Sequence, residues 1–529
     1  MGAGHLGSEQ ESDRERICDE VYVMLPNINL VDLAYLDFEN EAEKAREKAI
    51  LSARAYHEGE QIVFLTERVR EFLGLHGKSN PFRMNIVRQV VSAISERLIV
   101  ASFDTTEQAT QTGVKPQAAW AWDVWQHNRM DAKESDVHED TLVDGEHFLI
   151  VDWHNGWPRW TPHPRWTGTD AGGDGFGVRM VYPQNDYNAE PSFAVKQWTE
   201  SIRKPEGGTE NRRRRTLYYP NRIVRLVYRE GNWKPYIDEG EEKAIIDWTD
   251  SRGEPLGIPV VHFKNKKLRC EAWDAIPLQD ATNKALVDLL ASADMTAFRI
   301  FVALGFIPTT DGKEPKADGS NWLKIAPGQV IGSTKPKDQV DFSAIDGQSP
   351  EPLQNLVHQI VMWMAMVTDT PISRFIATKQ IASEGTLKQQ EEPLAAKVDH
   401  RRSIFGNAWE DCMTISRRLA NAFGGASLDE TVYFSCLWQY RRPMDELQAK
   451  KSLGVPIEQL WREAGYSPNQ IEVMKQSDEY QAIVAAGQLA FWQAAAAAVD
   501  AGIDIEQFLL DQGWAQQRIN KMYARLEEQ

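Results

Sequence analysis

The sequence predicts an α+β protein of several domains with an elongated shape. Its 529 residues exceed the usual size of one domain. Strand-like runs cluster around positions 140–265, whereas helical patterns fill the middle and the C-terminal part. Two long helical segments, Ala275–Arg299 and Pro350–Val367, also bracket a short turn-rich insert. A helix that leads out, a small β-rich excursion and an antiparallel helix that returns are unusual within one globular domain.

The N-terminal third predicts two helices followed by strands. Met1–Glu20 is polar and is expected to be flexible. Phe38–Tyr56, rich in Glu, Ala, Lys and Arg, predicts an exposed helix, and Asn85–Ile99 predicts a helix with one buried stripe. Strands are predicted between Gly-, Pro- and Asn-rich turns at His147–Trp153, Leu217–Tyr219, Ile223–Tyr228 and Val260–Phe263.

The two central helices differ in their apolar surfaces. Ala275–Arg299 has Pro277 in its first turn, one apolar face, and a length of roughly 30 Å. Pro350–Val367 is apolar on nearly every side, with Met362, Trp363 and Met366 away from its main apolar stripe. Such a helix has to be covered on more than one face. The first helix can cover one face, and a neighbouring subunit is the natural candidate for the rest.

Three further segments complete the centre of the chain. The prolines and glycines of Phe301–Gln348 predict a compact knob of turns and strands. Asp369–Ser383 has too many breakers and polar residues to continue the preceding helix, so a mobile loop is expected there. A long helix is predicted from Thr386 to Phe423, with Pro393 expected to kink it and Gly424-Gly425 ending it.

The composition excludes several classes of protein. A formal charge of −18 and a pI near 5.2 argue against a protein that holds nucleic acid by neutralising phosphates. The four cysteines are far apart and form no C-x-x-C pair, so neither a disulfide framework nor a thiolate zinc site is expected. No secretory signal is expected from the polar first twenty residues, and Leu356–Val367 and Ala482–Val499 are too short or too interrupted to span a membrane. We expect a soluble cytoplasmic product.

Several apparent catalytic or binding motifs do not hold. Gly77-Lys78-Ser79 resembles the end of a phosphate-binding loop, but Phe72 stands where that loop needs glycine. The glycines between 172 and 177 favour a surface turn. His138, Glu139, Asp140, Glu146 and His147 match no metal motif, and a solvated helix end followed by a strand is the preferred interpretation. No catalytic constellation is found.

Two composition clusters have competing interpretations. Seven tryptophans between Trp120 and Trp166 could form a base-stacking or sugar platform, although packing on half-buried strands is favoured. Arg212–Arg215 could bind nucleic acid, but an exposed hairpin tip or a subunit contact is favoured because the run lies between predicted strands.

The C-terminus contains an internal repeat. The pattern Gly454-Val-Pro-Ile-Glu-Gln-Leu recurs as Gly502-Ile-Asp-Ile-Glu-Gln-Phe, and each copy continues with a glycine–aromatic pair. This indicates two helix–turn–helix units. A DNA-reading pair is the alternative, but acidic residues such as Glu458 and Glu506 would be repelled from a groove, so stacked helices are favoured.

Five segments stand out by their order and spacing along the chain. They are Asn80-Pro-Phe-Arg-Met-Asn-Ile-Val-Arg88 with Ala93-Ile-Ser-Glu-Arg-Leu-Ile-Val100, Gly257-Ile-Pro-Val-Val-His-Phe-Lys-Asn265, Gln279-Asp-Ala-Thr-Asn-Lys284, Ser383-Glu-Gly-Thr-Leu-Lys388 and Pro443-Met-Asp-Glu446. In the order and spacing of these segments, the chain resembles the portal proteins of tailed bacteriophages, in the group related to the portal of Bacillus phage SPP1. The resemblance covers about residues 45–475.

The resemblance implies a ring, typically of twelve copies, at one vertex of the capsid, through which a terminase drives double-stranded DNA. It implies a portal fold with a wing, a helical stem, a small β-containing clip and a helical crown. The implied regions are a flexible segment (1–44), the wing (45–270), the first stem helix (271–300), the clip (301–348), the second stem helix (349–368), the tunnel loop (369–385), a long kinked wing helix with a return strand (386–444) and the crown (445–529).

The resemblance also implies partners and a site. The partners are the large terminase subunit, the major capsid and scaffolding proteins and the head-completion or neck proteins, in the virion and, during assembly, in the host cytoplasm. DNA would meet the tunnel loop at Arg374, Lys379, Gln380, Ser383 and Lys388. No catalytic residue, cofactor, metal or membrane is expected. The alternatives are a nucleic-acid packaging enzyme or ATPase, and an adaptor or scaffold protein that forms no ring.

Overall fold

The structure is a computed structural model that describes most of the chain in two compact units. The described residues are 41–63, 83–107, 115–168, 175–183, 186–203, 208–237, 243–297, 300–304, 316, 336, 338–339, 341–345, 350–376, 384–439, 451–452, 457–463, 471, 474–476, 480–481 and 506. The first unit falls within Met1–Ile99 and Thr105–Ser435, and the second within Val100–Asp104 and Cys436–Gln529.

Helices form at the positions predicted from periodicity, with small shifts at the ends. They also form at Pro116–His127, where none was predicted, and at Met130–Asp144, where only a helix end was predicted. In chain order the described α-helices are α1 (Glu41–Glu58), α2 (Val87–Ser95), α3 (Pro116–His127), α4 (Met130–Asp144), α5 (Ile276–Ala297), α6 (Glu351–Val367), α7 (Glu384–Phe423) and α8 (Ile457–Glu463). The predicted helices that correspond to α1, α2, α5, α6 and α7 are confirmed. The expectation that α1 is an exposed helix was wrong, because Ile50, Ala53 and His57 on one of its faces are buried. The helix α2 is shorter than predicted because the chain turns at Glu96 and Arg97 before the next strand begins.

The described strands form five sheets, four of which are antiparallel throughout. They are β1 (Val100–Thr105), β2 (Glu146–His154), β3 (Trp157–Pro164), β4 (Trp166–Gly168), β5 (Gly175–Phe176), β6 (Val178–Val181), β7 (Phe193–Arg203), β8 (Thr209–Tyr218), β9 (Arg222–Arg229), β10 (Asn232–Pro235), β11 (Ile245–Asp247), β12 (Val260–Lys264), β13 (Ile300–Leu304), β14 (Asp341–Ile345) and β15 (Phe434–Trp438). The first unit contains a six-stranded sheet in the order β10-β9-β8-β7-β6, with β11 on β9. It also contains the sheet β12-β2-β3 and the pairs β4-β5 and β13-β14. The four predicted strands are therefore confirmed.

The turn between α4 and β2 requires glycine. Gly145 has a φ of +88°, in the left-handed region, and a Cβ atom at this position would lie 2.6 Å from the backbone of Leu268. Two segments that are distant in sequence thus touch backbone to backbone at this turn.

The main core lies where α7 packs on the β12-β2-β3 sheet. Trp409 of α7 contacts Trp125 of α3 and Trp160 of β3, with ring centroids 5.0 and 5.8 Å away. The indole N–H of Trp160 donates to Ser416 Oγ at 2.8 Å. Packing is therefore the role of Trp125 and Trp160, as predicted. Trp125 lies on a helix, however, whereas the prediction placed these tryptophans on strands.

The arginine run 212–215 does not form a hairpin tip. It lies within β8, where Arg214 and Arg215 are only 3% and 5% exposed. The guanidinium group of Arg214 binds Glu200 at 2.8 Å, and that of Arg215 donates to the Gln197 amide oxygen at 2.6 Å. The prediction was wrong because amide, carboxylate and aromatic partners on neighbouring strands cover these side chains. Tyr236 and Trp233 provide the aromatic faces, at 3.8 and 4.0 Å.

The second unit is described at fewer positions. Its helix α8 covers the start of the first sequence repeat, and within α8 Leu460 is buried. Glu458 accepts a hydrogen bond from the Tyr480 hydroxyl and lies 3.7 Å from Lys475 Nζ. Of the rest of the predicted repeat, only single positions such as 471, 474–475, 480–481 and 506 are described, and they are helical.

Candidate functional site

The helices α5 and α6 pack against each other and are joined by the antiparallel pair β13-β14. One side of α6 is buried through Ile360, Val361 and Met364. The other side exposes large apolar side chains, of which Trp363 is 45% and Met366 is 73% exposed. This second apolar face, predicted from the sequence, is present in the folded chain. Leu356, Met362, Trp363, Met366 and Val367 form it, and we call it the α6 strip.

The chain leaves α6 through an ordered turn. The Thr368 hydroxyl and amide both donate to the carbonyl of Met364, at 2.7 and 3.1 Å. Asp369 then adopts a left-handed φ of +52°, which a short polar side chain tolerates better than most residues do. A 3-10 turn follows at Ile372–Arg374. The segment predicted as a mobile loop therefore begins with hydrogen-bonded structure.

The predicted tunnel loop contacts the turn after α2 through Arg374 inside the loop, and the start of α7 contacts the same turn through Glu391. Arg374, which precedes residues 377–383 in the sequence, has its Nη1 3.0 Å from Glu96 Oε2. After them, Glu391 of α7 lies 3.3 Å from Arg97. The side chains of Arg374 and Glu96 are 31% and 49% exposed, so solvent screens this pair. We call Glu96, Arg97, Arg374 and Glu391 the loop anchors.

Only part of the predicted DNA-contact set can be placed. Arg374 lies in the 3-10 turn with its guanidinium on Glu96. Lys388 lies near the start of α7, but its side chain is outside the described part. Lys379, Gln380 and Ser383 fall outside the described residues altogether. The structure thus does not test whether these five residues converge, and their role stays a prediction.

A buried carboxylate connects the ends of the two central helices with α7. Glu271, just before α5, is 3% exposed and lies 2.8 Å from both Lys397 Nζ and Arg401 Nη2. Lys397 also donates to the carbonyl of Thr368 at the end of α6, at 2.9 Å. Burial opposes ionisation of Glu271, but the two cations outweigh burial, and the pKa of this carboxyl lies below its usual range.

Sequence reasoning did not find the Glu271 contacts. A signal was available, because Lys397 and Arg401 stand four residues apart among the apolar positions Leu394, Val398 and Phe405 of one helix. Cations within an apolar stripe need a buried anion. The partner, however, is 126 or more positions earlier in the chain, and nothing in the sequence singles it out.

The acidic and histidine residues between 138 and 147, which match no metal motif, include a buried ion-pair site. Glu146 is 0% exposed, so the preferred interpretation of a solvated strand start was wrong there. Its carboxylate binds Arg46 Nε at 2.7 Å, Arg165 Nη1 at 3.1 Å and His262 Nε2 at 2.9 Å. Burial raises its pKa, but Arg165, His262 and Arg46 more than compensate and lower it. Together these side chains connect α1 with β2 and β12.

His138 of the same group is also structural. His138 lies between the carbonyl of Leu98, at 3.1 Å from Nδ1, and the indole N–H of Trp409, at 3.0 Å from Nε2. Complete burial lowers its pKa to about 3, so it is neutral in the folded protein. Within the described residues, no group of three or more His, Cys, Asp or Glu side chains is placed to hold a metal ion.

The central helices, the turn after α6 and the loop anchors all lie within one family match. The model of the phage portal protein family, SPP1 Gp6-like, matches residues 43–456. The chain belongs to this family. The resemblance inferred from the sequence is thereby confirmed, and so is the α+β portal fold. The chain is a phage portal protein, and portal proteins are structural components of the particle.

Individual relatives agree with the family match. The portal protein of Mycobacterium phage D29 is 23% identical over 427 residues, which cover 76% of this chain and 80% of the relative. The portal protein of Mycobacterium phage L5 is 21% identical over 425 residues, with the same coverage. Among solved structures, a chain from the neck of a native gene transfer agent particle, computed with C12 symmetry, matches 80% of this chain and 99% of its own length. Its TM-score is 0.34 and its identity 12%.

The described part of the chain contains no helix that combines the length and the hydrophobicity needed to cross a bilayer. The helix α6, the most apolar of the central helices, is only 17 residues long.

Proposed function

We propose that the chain assembles into a ring of twelve copies at one vertex of the capsid and that double-stranded DNA enters and leaves through the ring. The observation that carries this proposal is the α6 strip, a row of large apolar side chains left exposed on a helix whose other face is already buried. Copies packed side by side around an axis would cover it. Burial of the apolar area that these side chains still expose would stabilise an interface by roughly 25 cal/mol per Å².

Within the ring, we assign roles to regions by family position. The wing is 45–270, the stem helices are 271–300 and 349–368, the clip is 301–348, the tunnel loop is 369–385, the long wing helix with its return strand is 386–444, and the crown is 445–529. The clip would receive the large terminase subunit and later the neck proteins, and the outer parts would contact capsid and scaffolding proteins. The ring would form in the host cytoplasm and remain in the virion.

The charge of the chain suits a channel through which DNA moves. At −18 per copy, a ring repels a polyanion on average, so DNA would not adhere to its wall. Arg374, Lys379, Gln380, Ser383 and Lys388 would supply scattered phosphate contacts. Since Arg374 already has Glu96 as a partner, a phosphate would exchange with a carboxylate instead of binding a free cation, and the net gain per contact would be small.

The ring is tested by changing the α6 strip. In Trp363→Asp/Met366→Asp, two charges occupy positions that the assembled interface would bury, and we expect single chains in place of a ring. Sedimentation and negative-stain imaging distinguish the two forms, because twelve chains of 60.1 kDa give a particle of about 720 kDa with a central hole. Ile62→Asp makes a similar change at an apolar side chain that is 80% exposed outside the strip, and should leave the ring intact. A variant ring with normal size and appearance would contradict the interface.

The DNA-facing loop is tested separately. Lys379→Glu should leave ring assembly unchanged and impair DNA packaging, since a carboxylate would repel phosphates at the contact. Lys243→Glu, at an exposed lysine outside the loop, is the matched control for the charge change. Normal packaging by Lys379→Glu would remove this residue from the contact set.

The enzyme alternative is tested with the purified ring alone. We propose that the chain has no catalytic function and that the packaging motor supplies ATP hydrolysis. ATP turnover by the ring, retained through purification to homogeneity, would favour the packaging ATPase instead.

A further inference from the structure

A surface groove of about 600 Å³ lies between the amino end of α4 and the β2-β3 hairpin. The side chains important for its chemistry are His127, Arg129, Lys133, His154, Trp157 and Arg159, and we call it the basic groove. The hairpin turn that closes one end is Asn155-Gly156, with φ values of +51° and +83°. Left-handed values at both positions are typical of a two-residue turn of defined shape, so this wall of the groove is well defined.

The charge of the basic groove is opposite to that of the chain. Three cationic side chains and two imidazoles line it, and none of its lining residues is Asp or Glu, although the chain has 77 acidic residues against 59 Lys and Arg. Arg159 is held by Asp152, at 3.0 and 2.6 Å. Arg129 and Lys133 form no ion pair within the part of the chain that the structure describes. Two exposed cations are thus available to an anionic ligand.

The backbone adds to this positive potential. Arg129 precedes α4 with a φ of +53°, and Lys133 follows one helical turn later. No side chain caps the first turn of α4, a helix of 15 residues. The free amides at the amino end of a helix carry a partial positive charge, which favours carboxylates and phosphates. The uncapped helix end thus adds to the charges of Arg129 and Lys133, and the Asp131 carboxylate in the same turn offsets part of this positive potential.

The rest of the groove distinguishes a peptide from a nucleic acid. One face of the Trp157 ring is covered by the His127 imidazole, with centroids 4.8 Å apart and planes within 16°, so that face cannot stack on a base. Pro158 and Pro162 continue the wall with aliphatic surface. A concave aliphatic wall fits an apolar side chain, and a chain of net charge −18 repels a duplex more strongly than a short peptide.

We propose that the basic groove binds an acidic segment of a partner protein. Carboxylates of that segment lie at Arg129 and Lys133, and a neighbouring apolar side chain rests on the wall formed by Trp157 and Pro158. This site depends on neither DNA passage nor the α6 strip, so it can fail or hold independently of the proposed function.

The experiment selects short random peptides on the purified full-length protein in its native assembly and measures the affinity of the recovered peptides by fluorescence anisotropy. We expect peptides with Asp or Glu beside an aliphatic or aromatic residue. Arg129→Gln/Lys133→Gln should weaken their binding about tenfold or more, because two charge-assisted contacts are lost. Arg203→Gln/Lys243→Gln removes two exposed cations outside the groove and should bind as the unchanged protein does.

Several results would overturn the proposal. One is the recovery of no binding peptides, or of peptides without enrichment in acidic residues. Another is equal affinity for the groove variant and the unchanged protein. A short DNA duplex that displaces the peptides, and loses its own binding in the groove variant, would assign the groove to nucleic acid. If the peptides bind dissociated chains but not the assembly, the groove is a contact between copies of this chain instead.

Discussion

Two sets of ion pairs in this protein use the same side-chain chemistry in opposite surroundings. Glu146 is completely buried and is bound by Arg46, Arg165 and His262, which fixes α1 on the sheet beside it. The loop anchor Glu96 is half exposed and has Arg374 as its partner. The comparison shows how burial sets the role of a charge: removal of one partner in the interior leaves a desolvated ion, whereas at the surface water replaces it.

That difference suits what each region would do. In the proposed ring, the wing would need a fixed frame, and a buried carboxylate with three partners allows few alternative arrangements. A loop that met moving phosphates would need partners that exchange easily, and an exposed pair has little free energy to lose. The following changes, ordered by expected effect, test this contrast.

The largest effect is expected for Glu146→Gln. Loss of the carboxylate leaves Arg46 and Arg165 without their buried anion, which should lower the free energy of unfolding by about 3–5 kcal/mol. Urea unfolding followed by circular dichroism measures the change. Asp152→Asn removes the exposed partner of Arg159 and is the matched control, with an expected loss below about 1 kcal/mol. Equal losses in both variants would show that burial does not set the strength of these pairs.

Glu271→Gln should come second. Lys397 and Arg401 lose a shared carboxylate, but Lys397 remains 18% exposed and keeps its contact with the Thr368 carbonyl. We expect a loss of about 2–3 kcal/mol in the same unfolding measurement. Glu391→Gln, at an acidic residue that is 54% exposed, provides the comparison. If Glu271→Gln proves as mild as its control, the link between α7 and the central helices is weaker than the geometry indicates.

A pH effect of intermediate size is expected from His138. Its folded pKa is about 3 and its ordinary value 6.5, so between these values the unfolded chain binds a proton that the folded chain does not. Stability is therefore lost as the pH falls below 6.5, by about 1.4 kcal/mol per pH unit. His138→Gln keeps a donor and an acceptor but cannot titrate. Comparison of urea midpoints at pH 7.5 and 5.5 should show a smaller drop in this variant, and an unchanged drop would place the titration elsewhere.

The smallest effect is expected for Glu96→Gln. Loss of this exposed pair should cost less than about 1 kcal/mol, and the difference from the unchanged protein should shrink further in high salt. The same unfolding measurement at two salt concentrations decides. A loss as large as that of Glu271→Gln would mean that the loop anchors are structural, and the contrast between the two regions would disappear.

The sequence predicted the elements that depend on local pattern. The helices α5, α6 and α7 were found because periodic apolar positions end at Gly, Pro or polar breakers, and the second apolar face of α6 follows from Met362, Trp363 and Met366 alone. The pairings of charges could not be predicted. Arg46 and Glu146 are 100 positions apart, and only the packing of α1 on the sheet brings them together.

The same limit explains the errors. Arg214 and Glu146 were expected at the surface because isolated charged side chains avoid the interior. Both are buried because the fold brings them partners of opposite charge or aromatic rings. These partners are distant in the sequence, so the sequence alone does not reveal them. Of the loop anchors, the sequence analysis singled out Arg374 but neither its partner Glu96 nor the pair of Arg97 with Glu391.

Pro393 divides α7 into two parts with different surroundings. The helix continues without interruption through this residue, yet residues 389–393 are exposed and regular burial begins at Leu394. Proline has no amide hydrogen, so the carbonyl one turn earlier lacks its helical partner at that same boundary. Amide hydrogens before Pro393 should therefore exchange with deuterium readily, and those after Leu394 only when the core opens. A local movement of the first turns can end at the proline without disturbing the tryptophans beyond it.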